Sequence, residues 1–83
     1  MTAAGESAIT VSAVRPLDTL LRVAMAARGR SGVRVTAVSL RAAAPYGESE
    51  IELRVRAADR DVDLLCERLR RLVDVLAVSV VTR

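Results

Sequence analysis

Along the first third of the chain the apolar positions recur with period two, then with the period of a helix. Ile9, Val11 and Ala13 alternate with Thr10 and Ser12, the signature of a strand with one dry and one wet face. Pro16 ends that alternation. Beyond it Leu17, Leu20, Leu21 and Ala24 fall at i, i+3, i+4 and i+7, continued by Ala27 or Arg28, and predict one dry side of a helix. Proline at the first helical position fixes φ without the loss of a hydrogen bond, and Asp18 in the first turn suits the positive end of the helix dipole. Gly29-Arg30-Ser31-Gly32 closes the helix, with Gly29 or Gly32 supplying a left-handed residue. Residues 1–7, Met1 to Ser7, offer nothing to bury and are expected to form a disordered tail, so that order begins near Ala8.

The pattern then returns to strands. Val33 to Ala42 is rich in β-branched residues, although its alternation is less clean, and Pro45-Tyr46-Gly47 marks a reversal. In the next strand Ile51, Leu53, Val55 and Ala57 share one face, while Glu50, Glu52, Arg54 and Arg56 share the other and must be solvated or paired. Asp59 is the expected N-cap of a second helix, with Asp61 in its first turn and a dry stripe of Val62, Leu65, Cys66, Leu69, Leu72 and Val73. Glu67 and Arg71 form an i,i+4 pair on its surface, worth only a few tenths of a kcal/mol. Asp74 turns the chain into a last strand, Val75 to Thr82, apolar on both alternating sets.

Strand, helix, strand, strand, helix, strand in that order predicts a ferredoxin-like α+β domain over residues 8–83: a four-stranded antiparallel sheet with both helices on one face. The helices are expected to cover Ile9, Val11, Leu53 and Val55. The opposite face, with Thr10, Ser12, Arg54 and Arg56, stays open, as does an edge of the sheet. The uncovered edge and the doubly apolar last strand invite association by sheet extension or face packing.

Composition sharpens this picture. Eighty-three residues make one domain, and domains of this size bury only about 60% of their unfolded surface, so a partner chain is expected. Half the residues are apolar, yet Phe and Trp are absent and Tyr46 is the only aromatic, so the chain has almost nothing on which to stack bases. The net charge of +3 comes from thirteen arginines against ten acids, scattered along the chain rather than gathered into the patch that nucleic-acid binding needs. All cations being arginine, beside many alanines, reads as codon composition. A single cysteine excludes an internal disulfide, and the chain reads as cytoplasmic. Met1 to Ser7 lacks the form of a signal peptide, and the apolar run Val75 to Val81 is far short of the roughly 20 residues of a membrane helix.

No constellation of residues supports catalysis, a cofactor or a metal. Asp59-Arg60-Asp61-Val62-Asp63 opens like a calcium loop, but Leu64 stands where that loop needs Gly and Arg70 where it needs Glu. Glu48, Glu50 and Glu52 have no apolar pocket to raise a pKa. Cys66 lies in the dry stripe, without any histidine in the chain to activate it. Gly29-Arg30-Ser31-Gly32 lacks the ending of a phosphate loop and follows a helix instead of preceding one. Arg68, Arg70 and Arg71 are spread over about 300° of helix beside Glu67, and an RNA-binding domain of this topology would carry aromatics on its open sheet face.

Leu17-Asp18-Thr19-Leu20-Leu21-Arg22-Val23, the Arg28-Gly29 exit, Ile51-Glu52-Leu53, Val62-Asp63-Leu64-Leu65 and Leu69-Arg70-Arg71-Leu72-Val73-Asp74-Val75 together resemble the ACT-domain small subunit of acetolactate (acetohydroxyacid) synthase, in its short single-domain version. The resemblance spans Ile9 to Val81. It implies a noncatalytic regulatory subunit that binds the large, thiamine-diphosphate-dependent subunit and raises its activity in branched-chain amino-acid (valine, leucine, isoleucine) biosynthesis. It also implies a homodimer paired through the sheets, with a branched-chain amino acid effector at the pair's interface near the first strand-to-helix turn, here Val14, Arg15, Pro16, Leu17 and Asp18. Effector-sensitive members have an Asn and a Gly in that turn. Neither is present here, and Pro16 removes an N–H, so weak or absent valine feedback is expected. The alternative is a free-standing ACT homodimer that senses a small amino acid.

Overall fold

The inward parity of Ile9, Val11 and Ala13 runs back to Ser7, and the chain is already a strand at Gly5. The computed structural model describes residues 5–42 and 48–82. Its elements are β1 (Gly5–Ala13), α1 (Pro16–Arg28), β2 (Arg34–Ala42), β3 (Ser49–Ala57), α2 (Asp59–Arg70) and β4 (Val75–Thr82). The disordered tail expected over residues 1–7 is therefore corrected for its last three. Gly5, Glu6 and Ser7 lie opposite Ala57, Arg56 and Val55 of β3, and the backbone ladder orders a segment whose side chains alone gave no reason for it. The reversal expected at Pro45-Tyr46-Gly47 lies outside the described residues.

The sheet has the order β2-β3-β1-β4 with every pairing antiparallel, and both helices pack on one face: the ferredoxin-like arrangement the pattern predicts. Ile9, Val11 and Ala13 of β1 and Ile51, Leu53, Val55 and Ala57 of β3 are buried beneath the helices. From α2 come Val62, Leu65, Cys66 and Leu69; Leu72 is partly buried and Val73 is exposed, which shortens the expected stripe because the helix ends at Arg70. Ala58, not Asp59, is the N-cap of α2, and Asp59 is its first helical residue.

Helix α1 corrects the sequence reading most. Its buried residues are Thr19, Val23 and Ala27, with Leu20 and Ala26 partly buried, whereas Leu17, Leu21 and Ala24 face outward. The helix is apolar nearly all round, and the sheet takes the side whose smaller residues permit a close approach. At its end Gly29 is right-handed and Gly32 carries the left-handed turn at φ 89°. A Cβ on Gly32 would stand 2.9 Å from Asp61 Oδ2, so a glycine there also lets the loop lie against the start of α2.

Bulges explain the uneven alternation of the outer strands. Val35 lies opposite Val55 and Ala37 opposite Arg54, so Thr36 is an extra residue, and Val35, Val38 and Leu40 all end on the helix side. In β4 the same happens at Leu76, between Val75 opposite Ala13 and Ala77 opposite Ser12.

Candidate functional site

The turn Val14 to Asp18 is built around one left-handed residue that is not glycine. Arg15 has φ 52° and ψ 65°, a conformation that costs an L-residue roughly 1–2 kcal/mol. Thr19 holds it in place. Its buried hydroxyl donates to the Val14 carbonyl at 2.9 Å, and its backbone N–H donates to the Arg15 carbonyl at 3.0 Å. Arg15, the N-cap of α1, gives the helix no side-chain cap. Pro16 has no N–H, so Leu17 and Asp18 carry the donors of the first turn that no helical carbonyl can satisfy. Val14 is half-buried, while Arg15, Leu17 and Asp18 are exposed.

A second turn, between α2 and β4, closes on the first. Asp74 is the other left-handed residue that is not glycine among the described residues, at φ 71°; its carbonyl accepts from the Val14 N–H at 3.0 Å. Its carboxylate Oδ2 lies 3.6 Å from Arg22 Nη1 of α1, the one ion pair among the described residues. Thr19, Arg22 and Asp74 thus join Val14 to Asp18 in a single unit at one end of the sheet. Asp74 had a signal in the sequence, as the residue between helix and strand; Thr19 had one only as a polar residue in an apolar helix.

From this unit an apolar surface runs along α1. Leu17 is 68% exposed, Leu21 67% and Met25 74%. Leu17, Leu21, Ala24 and Arg28 share one side of the helix by their spacing, and Ala24 and Arg28 border a groove of about 380 Å³ with Val33, Arg34, Val35 and Val38, floored by Leu53. Strand β2 is an edge, as is β4, and each turns a row of unpaired backbone groups outward.

The remaining candidates do not converge. Cys66 is buried, and burial pushes its thiol up, against a smaller lowering by Arg70 and a raising by Asp63. Arg70 reaches toward the Val78 carbonyl at 3.5 Å, while Arg68 and Arg71 border an open groove with Arg30, Leu64 and Glu67. Glu50 and Glu52 lie on the open face beside Thr10, Ser39 and Arg41. Among the described residues no group of three or more His, Cys, Asp or Glu could hold a metal ion, and no helix is long and apolar enough to cross a membrane.

A family model described as ACT domain matches residues 15–78. No curated protein matches the sequence. Among solved structures, the chain is similar to the ACT domain of a GTP pyrophosphokinase from Chlorobium tepidum, at 15% identity and a TM-score of 0.78, over 96% of this chain and 100% of that one. The C-terminal domain of MgtC from Mycobacterium tuberculosis is similar at 10% identity and a TM-score of 0.80, over 96% and 88%. A homoserine dehydrogenase from Thiobacillus denitrificans is similar at 15% identity and a TM-score of 0.75, over 94% of this chain and 17% of its own. At such identities the likeness is one of fold.

Proposed function

The chain belongs to the ACT-domain family, whose members are regulatory rather than catalytic, and from that premise we propose that it is the noncatalytic small subunit of an acetolactate synthase. In this reading it binds the large catalytic subunit in the cytoplasm and raises its activity in branched-chain amino-acid biosynthesis, and it pairs with a second copy through an edge of the sheet. The observation that carries the reading is the outward face of α1: a chain this small leaves Leu17, Leu21 and Met25 more than two-thirds exposed, in one band beside an apolar groove. Scattered surface leucines are ordinary; a contiguous band fits a surface that another protein covers. The resemblance of Leu17 to Val23 and of Leu69 to Val75 to the small subunit supplies the identity of that protein.

The Val14 to Asp18 turn supports weak or absent valine feedback. Arg15 occupies the left-handed position and brings a long side chain where glycine would let an amino acid reach the backbone, and Pro16 has removed a donor. Two measurements test the proposal. In size-exclusion chromatography with a purified acetolactate synthase large subunit the two proteins co-elute; separate elution at micromolar concentrations would contradict it. Calorimetry of the isolated protein with valine gives no binding tighter than millimolar. Tight binding without the large subunit would make the chain a free-standing sensor instead.

A further inference from the structure

The three arginines at the end of α2 separate in the fold. Arg70 reaches toward β4, while Arg68 and Arg71 stay on the exposed side of the helix and are joined there by Arg30, from the loop between α1 and β2. With Leu64 and Glu67 they line a groove of about 510 Å³, within the range of small-molecule sites. Three arginines against one glutamate leave its lining with two net positive charges. None of these four groups has an ion-pair partner within 4 Å among the described residues, so the Glu67 and Arg71 pair expected from their spacing stays open.

Arg68 in the last turn of α2 and Arg71 at its C-cap have a plain reason to be basic, since they offset the negative end of the helix dipole. Arg30 has no such reason. It belongs to no helix, and its loop is fixed: its N–H donates to the Ala27 carbonyl at 3.3 Å, its carbonyl accepts from the Val33 N–H at 3.4 Å, and Gly32 lies against Asp61 of α2. The Arg30 side chain is half-buried, and its Nε is shut off from water without a hydrogen-bond partner, the one such side-chain atom among the described residues. A solvated arginine keeps that N–H in water. Here the loop instead holds a third guanidinium beside two others, and the three repel one another until an anion enters.

We propose that this groove binds the phosphoryl group of a small phosphate monoester. A guanidinium presents paired N–H donors that match phosphate oxygens bidentately, and every cation of the groove is a guanidinium. Two net positive charges suit a monoester, which carries close to two negative charges at neutral pH, better than a carboxylate or a phosphodiester with one. No aromatic side chain lines the groove, so a nucleobase has nothing to stack on, whereas Leu64, 44% exposed, offers contact to an aliphatic body. The groove shares no residue with the Val14 to Asp18 turn or with the apolar groove beside β2, and the proposal does not rest on the partner proposed above.

Nuclear magnetic resonance of the isotope-labelled full chain, titrated with glycerol phosphate at neutral pH and constant ionic strength, tests it. The Nε–H signals of Arg30, Arg68 and Arg71 shift and saturate in the millimolar range. Arg30→Gln, and separately Arg68→Gln with Arg71→Gln, each raise the dissociation constant about tenfold. Glu67→Gln lowers it a few-fold, and Arg60→Gln, on α2 but outside the groove, leaves it unchanged. Circular dichroism checks that the variants keep the fold; should Arg30→Gln lose it, Arg30→Lys keeps the charge without the fork and binds more weakly than the original. Below the second phosphate pKa of about 6 the ligand carries one charge and binding weakens, in an interval where the chain has no histidine to titrate. Shifts that grow without saturation, or that sodium acetate reproduces at equal ionic strength, overturn the proposal, as does an affinity that Arg30→Gln leaves unchanged. Equal affinity for dimethyl phosphate or oligothymidylate, or displacement of the ligand by polyglutamate at equal charge, would assign the groove to nucleic acid or to an acidic protein and overturns it too.

Discussion

Arg15 and Asp74 each hold a left-handed backbone with a side chain that pays some steric cost for it, and they sit in two turns joined by the Val14 to Asp74 hydrogen bond. Asp tolerates this region better than Arg. Arg15→Gly therefore relieves strain at a small entropic cost, and we expect a gain of about 0.5–1 kcal/mol, or several degrees in Tm, measured by thermal melting. A lower Tm would show that the Arg15 side chain contributes more than its backbone costs. Cys66 gives a prediction in pH. Burial raises its thiol above the ordinary value of 9.0, so from that value upward the unfolded chain releases a proton that the folded chain keeps. The contribution is constant below pH 9.0 and falls as pH rises from there to the raised folded value. In denaturant titrations across that window the original chain loses stability with rising pH, and Cys66→Val loses less; equal slopes would refute the assignment.

The elements differ in how much their sequences reveal. β3 was legible because its alternation has no exception: Ile51, Leu53, Val55 and Ala57 are all buried, and the charged set is outward. α2 was legible down to Leu69 because its other sides are strongly polar. α1 was not, since period alone says that a helix has an apolar side and cannot choose between two, and here the side made of Thr19, Val23 and Ala27 goes inward, with Leu20 partly buried beside it, while Leu17 and Leu21 stay out. Bulges at Thr36 and Leu76 were equally hidden, because an extra residue shows only when the register with the neighbouring strand is known. The turn at Val14 to Asp18 could be placed from Pro16 and Asp18, but its partners Thr19, Arg22 and Asp74 needed the fold to bring them together. One pair of variants separates the two kinds of leucine. Leu65→Ala removes a fully buried side chain and costs about 2–5 kcal/mol in urea unfolding, whereas Leu21→Ala stays within about 0.5 kcal/mol and instead weakens binding to the large subunit. A large loss of stability from Leu21→Ala would place that leucine in the protein's own core.

At the scale of the molecule, a small aliphatic core is closed on one face of the sheet while three surfaces stay unfinished: the outward side of α1, the two sheet edges, and the charged open face. Each suits contact with another chain. Under the proposed function the chain is a module that alters an enzyme by binding to it. The direct measurement is the rate of acetolactate formation by a purified acetolactate synthase large subunit, titrated with this protein. A saturable increase, with no product from the protein alone, is the predicted result. A rate unchanged at saturating protein, or turnover by the protein on its own, would contradict it.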